Sequence, residues 1–195
     1  MSVPVMINIE HASPRMMVGL RAIITAGMPG SGKEEFLLSI KPLGLPFVRM
    51  GDAVRHHKAT QGSKLSTGEY AQKEREIHGD DIWAIRTLEL LGDGVTVIDG
   101  CRSDAEVAAF KRELGDGLKV FAIHSDPETR YRRLVSRARE DAPLDRDDFN
   151  VRDGREMSWG LAKVIALADV MIVNDRGLED FHRLCLKAVK EVIDR

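Results

Sequence analysis

A chain of 195 residues holds one domain of ordinary size and leaves little material for a second. Hydrophobic residues at 43% and charged residues at 31% exclude a disordered or membrane-embedded chain. A net charge of −2 excludes a surface built for nucleic acid or anionic lipid, and two cysteines without CxxC spacing exclude a disulfide framework and a zinc site.

Cys101 and Cys185 are therefore expected as free thiols in a cytoplasmic protein. Residues 1–18, with Pro4, Pro14 and four methionines, hold no apolar run long enough for a signal or membrane-spanning segment. They read as a mobile N-terminal extension, or as sequence ahead of a true start at Met16 or Met17. The domain proper is read as 19–195.

Leu20–Ala26 is a β-branched apolar run, the pattern of a strand buried on both faces of a parallel sheet. Comparable runs follow at Phe47–Met50, Val95–Ile98, Val120–Ile123 and Val170–Val173, with helical patterning between them. Five strands alternating with helices predict an open, mostly parallel α/β sheet. Helix starts show in the S-x-x-E pairs Ser66–Glu69 and Ser103–Glu106. Asp126-Pro127 starts another, expected to run to about Arg139. The last helix is expected over Glu179–Ile193, with Phe181, Leu184, Leu186, Ala188 and Val192 on its apolar side.

Between the first strand and first helix stands Gly27-Met28-Pro29-Gly30-Ser31-Gly32-Lys33, a G-x-x-x-x-G-K phosphate-binding loop in its proper context. Gly30 and Gly32 allow positive φ and close approach, so backbone N–H groups converge on a phosphate. Lys33 adds a charge, and the helix it opens points its positive end at the same anion. Residue 34 is Glu, where such loops carry the Ser or Thr that ligates Mg2+. Its carboxylate could reach the metal through water or could repel phosphate. Glu34 and Glu35 are expected to face outward, stabilised by the helix dipole, with another group and water holding the metal.

After the second strand comes Met50-Gly51-Asp52-Ala53-Val54-Arg55, and after the third Ile98-Asp99-Gly100-Cys101-Arg102. The loop, G-D-A-V-R and D-G-C-R together resemble the signatures of adenylate kinase and related nucleoside monophosphate kinases, in the same order. Ala166–Asp175 resembles the late strand of dephospho-CoA kinases. Nearly the whole chain after residue 18 also resembles a mainly archaeal family of small P-loop kinase-like proteins. The resemblance implies a three-layer P-loop NTPase sandwich of the nucleoside-monophosphate-kinase kind. It further implies ATP and Mg2+ as cofactors, and acceptor-binding helices at about 52–92. Asp52, Arg55 and Arg102 would bind the acceptor, and Asp99 would act near Mg2+ indirectly. D-G-C-R departs from the adenylate-kinase form, which carries proline before an arginine one residue further on.

The helix from Pro127 carries Arg130, Arg133 and Arg137 on one face, and Arg152 and Arg155 follow an acidic, proline-containing segment. By the pattern of the related kinases, Arg133 and Arg137 would meet the nucleotide. A short lid at about 139–156 would carry Arg152 and Arg155, and Asn174 would lie near the adenine. Lys33, Asp99, Arg137 and Arg155 are the expected catalytic groups, and Gly27 to Glu34, Arg133 and Asn174 the nucleotide-binding ones. Trp83, Trp159 and Cys101 read as packing residues, and the histidines lack metal-ligand spacing.

The expectation is phosphoryl transfer from ATP to a small-molecule acceptor of the nucleoside monophosphate or dephospho-CoA class, by a monomer or small homo-oligomer needing neither nucleic acid nor membrane. The alternative is a nucleotide-binding regulator or slow ATPase.

Overall fold

The computed structural model describes residues 21–137 and 142–194. The extension at 1–18, Leu20 and Arg139 lie outside the described residues.

The sheet contains β1 (Arg21–Ala26), β2 (Phe47–Arg49), β3 (Val95–Asp99), β4 (Leu118–His124) and β5 (Val170–Val173) in the order β2-β3-β1-β4-β5. Each recorded strand pairing is parallel, so the expected mostly parallel sheet is wholly so. The alternation of a pleated strand explains the layers. From β1, Ala22, Ile24 and Ala26 enter one core with Trp83, Ile98 and Phe110, whereas Ile23 enters the other with Phe36, Phe121 and Phe181.

The first core lies under α2 (Met50–Thr60), α3 (Thr67–His78), α4 (Ile82–Leu88), α5 (Asp104–Leu114) and α8 (Leu161–Ala166). The second lies under α1 (Lys33–Ile40) and α9 (Leu178–Ile193). The remaining helices, α6 (Pro127–Ser136) and α7 (Arg146–Ser158), stand at the C-terminal ends of the strands beside the phosphate loop. Both serine capping boxes form, and Asp126 caps α6 by accepting the N–H of Thr129. The α6 helix ends at Ser136, short of the expected Arg139. Met50, read as strand, opens α2 instead, and Phe47 is 53% exposed because β2 is an edge strand.

Candidate functional site

The loop from Gly27 to Gly32 leaves the central strand β1 and enters α1, so it sits at the middle of the sheet's C-terminal edge. Open α/β sheets offer their ligand crevice there. Two glycines are fixed by what surrounds them. A Cβ on Gly27 would stand 2.5 Å from the Ile123 carbonyl oxygen. Gly32 has φ 109°, and a Cβ there would stand 2.2 Å from Nδ2 of Asn174. The amides at the start of α1 lack intrahelical acceptors and form the positive end of the helix.

Lys33 folds back over this loop, its ammonium donating to the Gly27 carbonyl at 2.6 Å. Burial lowers its pKa from 10.5 to about 8, against the opposing pull of the Asp99 carboxylate. Asp99 ends β3 beside Thr25 of β1, whose hydroxyl donates to its Oδ1 at 3.0 Å. Arg49, from the end of β2, approaches the other oxygen at 3.7 Å. Lys33, Asp99, Glu34, Arg137 and Arg152 line one cavity of about 190 Å3 at the loop.

Glu34 lines this cavity, and its carboxylate, on a side chain 44% exposed, lies 3.8 Å from the Arg137 guanidinium. Glu35 does turn away, toward His182 at 3.3 Å. Asn174 is buried behind the loop, and its amide donates to the Ser31 carbonyl at 2.9 Å. Arg133 joins it there, donating to the Ser125 hydroxyl at 2.8 Å and to the Asn174 carbonyl at 3.2 Å. These groups brace the loop from beneath, with Ser125 donating to the Ser31 and Asn174 carbonyls.

Of the two candidate lid arginines, Arg152 lines the loop cavity. Arg155 is drawn instead to the Trp159 ring, 5.7 Å from its centroid, outside that cavity. Trp159 is 41% exposed and does not pack in the core, unlike Trp83 and Cys101. Of the residues expected to bind an acceptor, Asp52 and Arg55 are exposed and pair with each other. The Arg102 guanidinium donates to Glu156 at 3.0 Å.

Several groups escaped the reading of motifs. Arg130 is 4% exposed, makes two bonds to Asp153 at 2.8 and 2.5 Å, and donates to the Pro29 carbonyl at 3.2 Å. Asp153 and Glu156, one turn apart on α7, thus fasten that helix to the phosphate loop through Arg130 and to the β3–α5 loop through Arg102. The signal in the sequence is the alternation of arginine and acid at 152, 153, 155 and 156, which sets two carboxylates on the same helix as the two arginines.

Comparison with known proteins agrees with this architecture. A family model described as an AAA domain matches residues 23–153. A UPF0200 protein from Saccharolobus solfataricus is 40% identical over 186 residues, 92% of this chain and 96% of that protein. Another, from Thermoplasma acidophilum, is 40% identical over 173 residues, 87% of this chain and 95% of its own. Among solved structures, a shikimate kinase from Bacteroides thetaiotaomicron superposes with a TM-score of 0.59 at 16% identity, covering 90% of this chain and 99% of that one. A gluconokinase from Sinorhizobium meliloti 1021 gives a TM-score of 0.57 at 15% identity, covering 89% and 94%. The fold is shared with these small-molecule P-loop kinases, and by its sequence relatives the chain belongs to the UPF0200 family.

Proposed function

We propose that the protein is an ATP-dependent phosphotransferase that moves the γ-phosphoryl group to a small acceptor of the nucleotide or nucleotide-like class. The observation that carries this reading is the convergence of Lys33, Asp99, Arg137 and Arg152 on one cavity at the phosphate loop. A loop whose glycines leave no side chain between backbone and ligand suits a triphosphate, and Lys33 supplies a charge to it. Arg137 and Arg152 offer forked donors to charge that spreads over the transferred group.

The donor chemistry also suits Mg2+, which takes one or two carboxylates and keeps phosphate and water as its other ligands. Asp99 and Glu34 border the same cavity, Asp99 oriented by the Thr25 hydroxyl. Such a metal, when bound, would neutralise phosphate charge. Nothing further is asked of a protein base if the acceptor oxygen belongs to a phosphate, because catalysis then consists of positioning and charge neutralisation. For a hydroxyl acceptor, the exposed Asp52 carboxylate is the base to test first.

The test is ADP release in a coupled assay with nucleoside monophosphates and dephospho-CoA, extended to shikimate and gluconate because of the fold neighbours. Acceptor-stimulated release supports the kinase. Tight ATP binding with no stimulation by any acceptor favours a second reading, a nucleotide-dependent regulator or slow ATPase. The Glu34–Arg137 pair at the metal position is what keeps that reading in play.

A further inference from the structure

A second cavity, of about 400 Å3, opens between α3, the β3–α5 loop and the turn joining α7 to α8. Arg75, Arg102, Ser103 and Trp159 line it. Beneath it lies Glu106, 1% exposed, which binds two elements with its two oxygens. One accepts from the Arg75 guanidinium at 3.1 Å; the other accepts the Arg102 and Ser103 N–H groups at 2.8 and 3.3 Å. The Arg75 fork and the Arg102 backbone are thus held a carboxylate's width apart. Arg102 in turn donates to Glu156, 4% exposed, and its guanidinium lies 5.6 Å from the Trp159 centroid. Arg155 stands by the same indole at 5.7 Å, so the Trp159 ring gathers two cations beside the cavity.

Glu106 and Glu156 are buried carboxylates, each answered by an arginine that stays partly exposed, and together they fix the two forks in advance, which lowers the ordering cost of binding. Each fork has five N–H donors and spends one recorded bond on its carboxylate, while half of the Arg102 side chain and a quarter of that of Arg75 stay exposed. One fork satisfies a planar carboxylate ligand; forks arriving from different elements suit the three oxygens of a phosphate. The Asp104 carboxylate on this wall is taken by Lys163 at 2.5 Å, and Asp80 is left as an acceptor for a ligand hydroxyl or amine. The cavity shares two supports with the phosphate loop: Asp99 borders the loop cavity and Arg102 this one, three residues further along the chain, and α7 is fastened to the loop through Asp153 and to Arg102 through Glu156.

We propose that this cavity is the acceptor seat and takes a phosphomonoester, held by Arg75 and Arg102 with Arg155 and Trp159 at its rim. The proposal rests on the phosphotransfer reading and names its substrate class.

The experiment is calorimetric titration of the full chain, saturated with a non-hydrolysable ATP analogue and Mg2+. The probes are AMP, CMP and ribose 5-phosphate, each against its phosphate-free counterpart adenosine, cytidine or ribose. At least one phosphate is expected to bind, with its counterpart 30-fold weaker or undetectable. Arg102→Gln and Arg75→Gln should each weaken that binding at least tenfold, and unchanged affinity for the ATP analogue would show that the variants are folded. Absence of binding by all three phosphates, equal binding of the phosphate-free compounds, or undiminished binding by both variants would overturn the proposal. Phosphate binding through these arginines without ADP release would leave the seat standing and remove the kinase reading. Phosphotransfer with an unchanged acceptor KM in both variants would do the reverse.

Discussion

Lys33 carries its charge at a cost, since burial holds its pKa near 8 in place of 10.5. Between those values the unfolded chain binds more protons than the fold, so this group's contribution to stability rises with pH across that window. Below it, the charging penalty is fully present. A bound triphosphate favours the ammonium, so ATP binding should take up a proton above pH 8, and affinity should fall by up to about tenfold per pH unit there. Calorimetry at pH 9 in buffers of different ionisation enthalpy reads that proton directly, and Lys33→Met should abolish it along with most of the affinity. Gly32→Ala combines a left-handed backbone with a contact on Asn174, and should cost about 2–4 kcal/mol in urea denaturation. Asn174→Ala in the same chain should recover part of the loss. Gly27, Gly32 and Lys33 were legible because phosphate chemistry demands those types at fixed spacing. The contacts of Thr25, Arg49 and Asn174 were not legible, because they depend on strand register and on groups up to 143 residues apart in sequence.

Among the elements, α7 is the one whose attachment tests the site most sharply. Its Asp153 is the buried partner of Arg130, and Arg130 touches the phosphate loop at Pro29. Asp153→Ala strands a buried guanidinium and should cost about 3–5 kcal/mol by denaturant unfolding, whereas pairing Arg130→Met with Asp153→Leu should restore most of that stability. If the double variant regains stability but binds ATP poorly, the pair serves to position the loop. The helices were legible where local chemistry sets their ends, as at Ser66, Ser103 and Asp126. Where tertiary placement decides, the sequence misled. Phe47 belongs to an apolar run yet is exposed on an edge strand, and Trp159, expected to pack, stands with two arginines.

At the scale of the molecule, ligand binding is coupled to global stability because the loop joins the central strand to the helix that covers one core. ATP at one hundred times its Kd should stabilise the fold by about 2.7 kcal/mol, raising Tm by about 5–10 °C for a chain of this size. Lys33→Ala should remove the shift without lowering the Tm of the free protein. The alternation of strands and helices made the parallel α/β class legible, since five short apolar runs separated by helical stretches admit few other arrangements. The strand order was not legible, because each run is apolar enough to occupy an interior position.

The brace from Asn174 to Ser31, 143 residues apart, bears on how the protein is made. On a ribosome adding about 5–20 residues per second, β1 and its loop emerge well before β3, β4 and the Asn174 amide that complete their surroundings. The central strand must wait for both neighbours, exposing an apolar segment that chaperones would recognise. A chain released at residue 160 should therefore bind no ATP although its phosphate loop is intact. Competence to bind a nucleotide is thus expected only late in synthesis, so a truncated product would carry the motif without the groups that brace it.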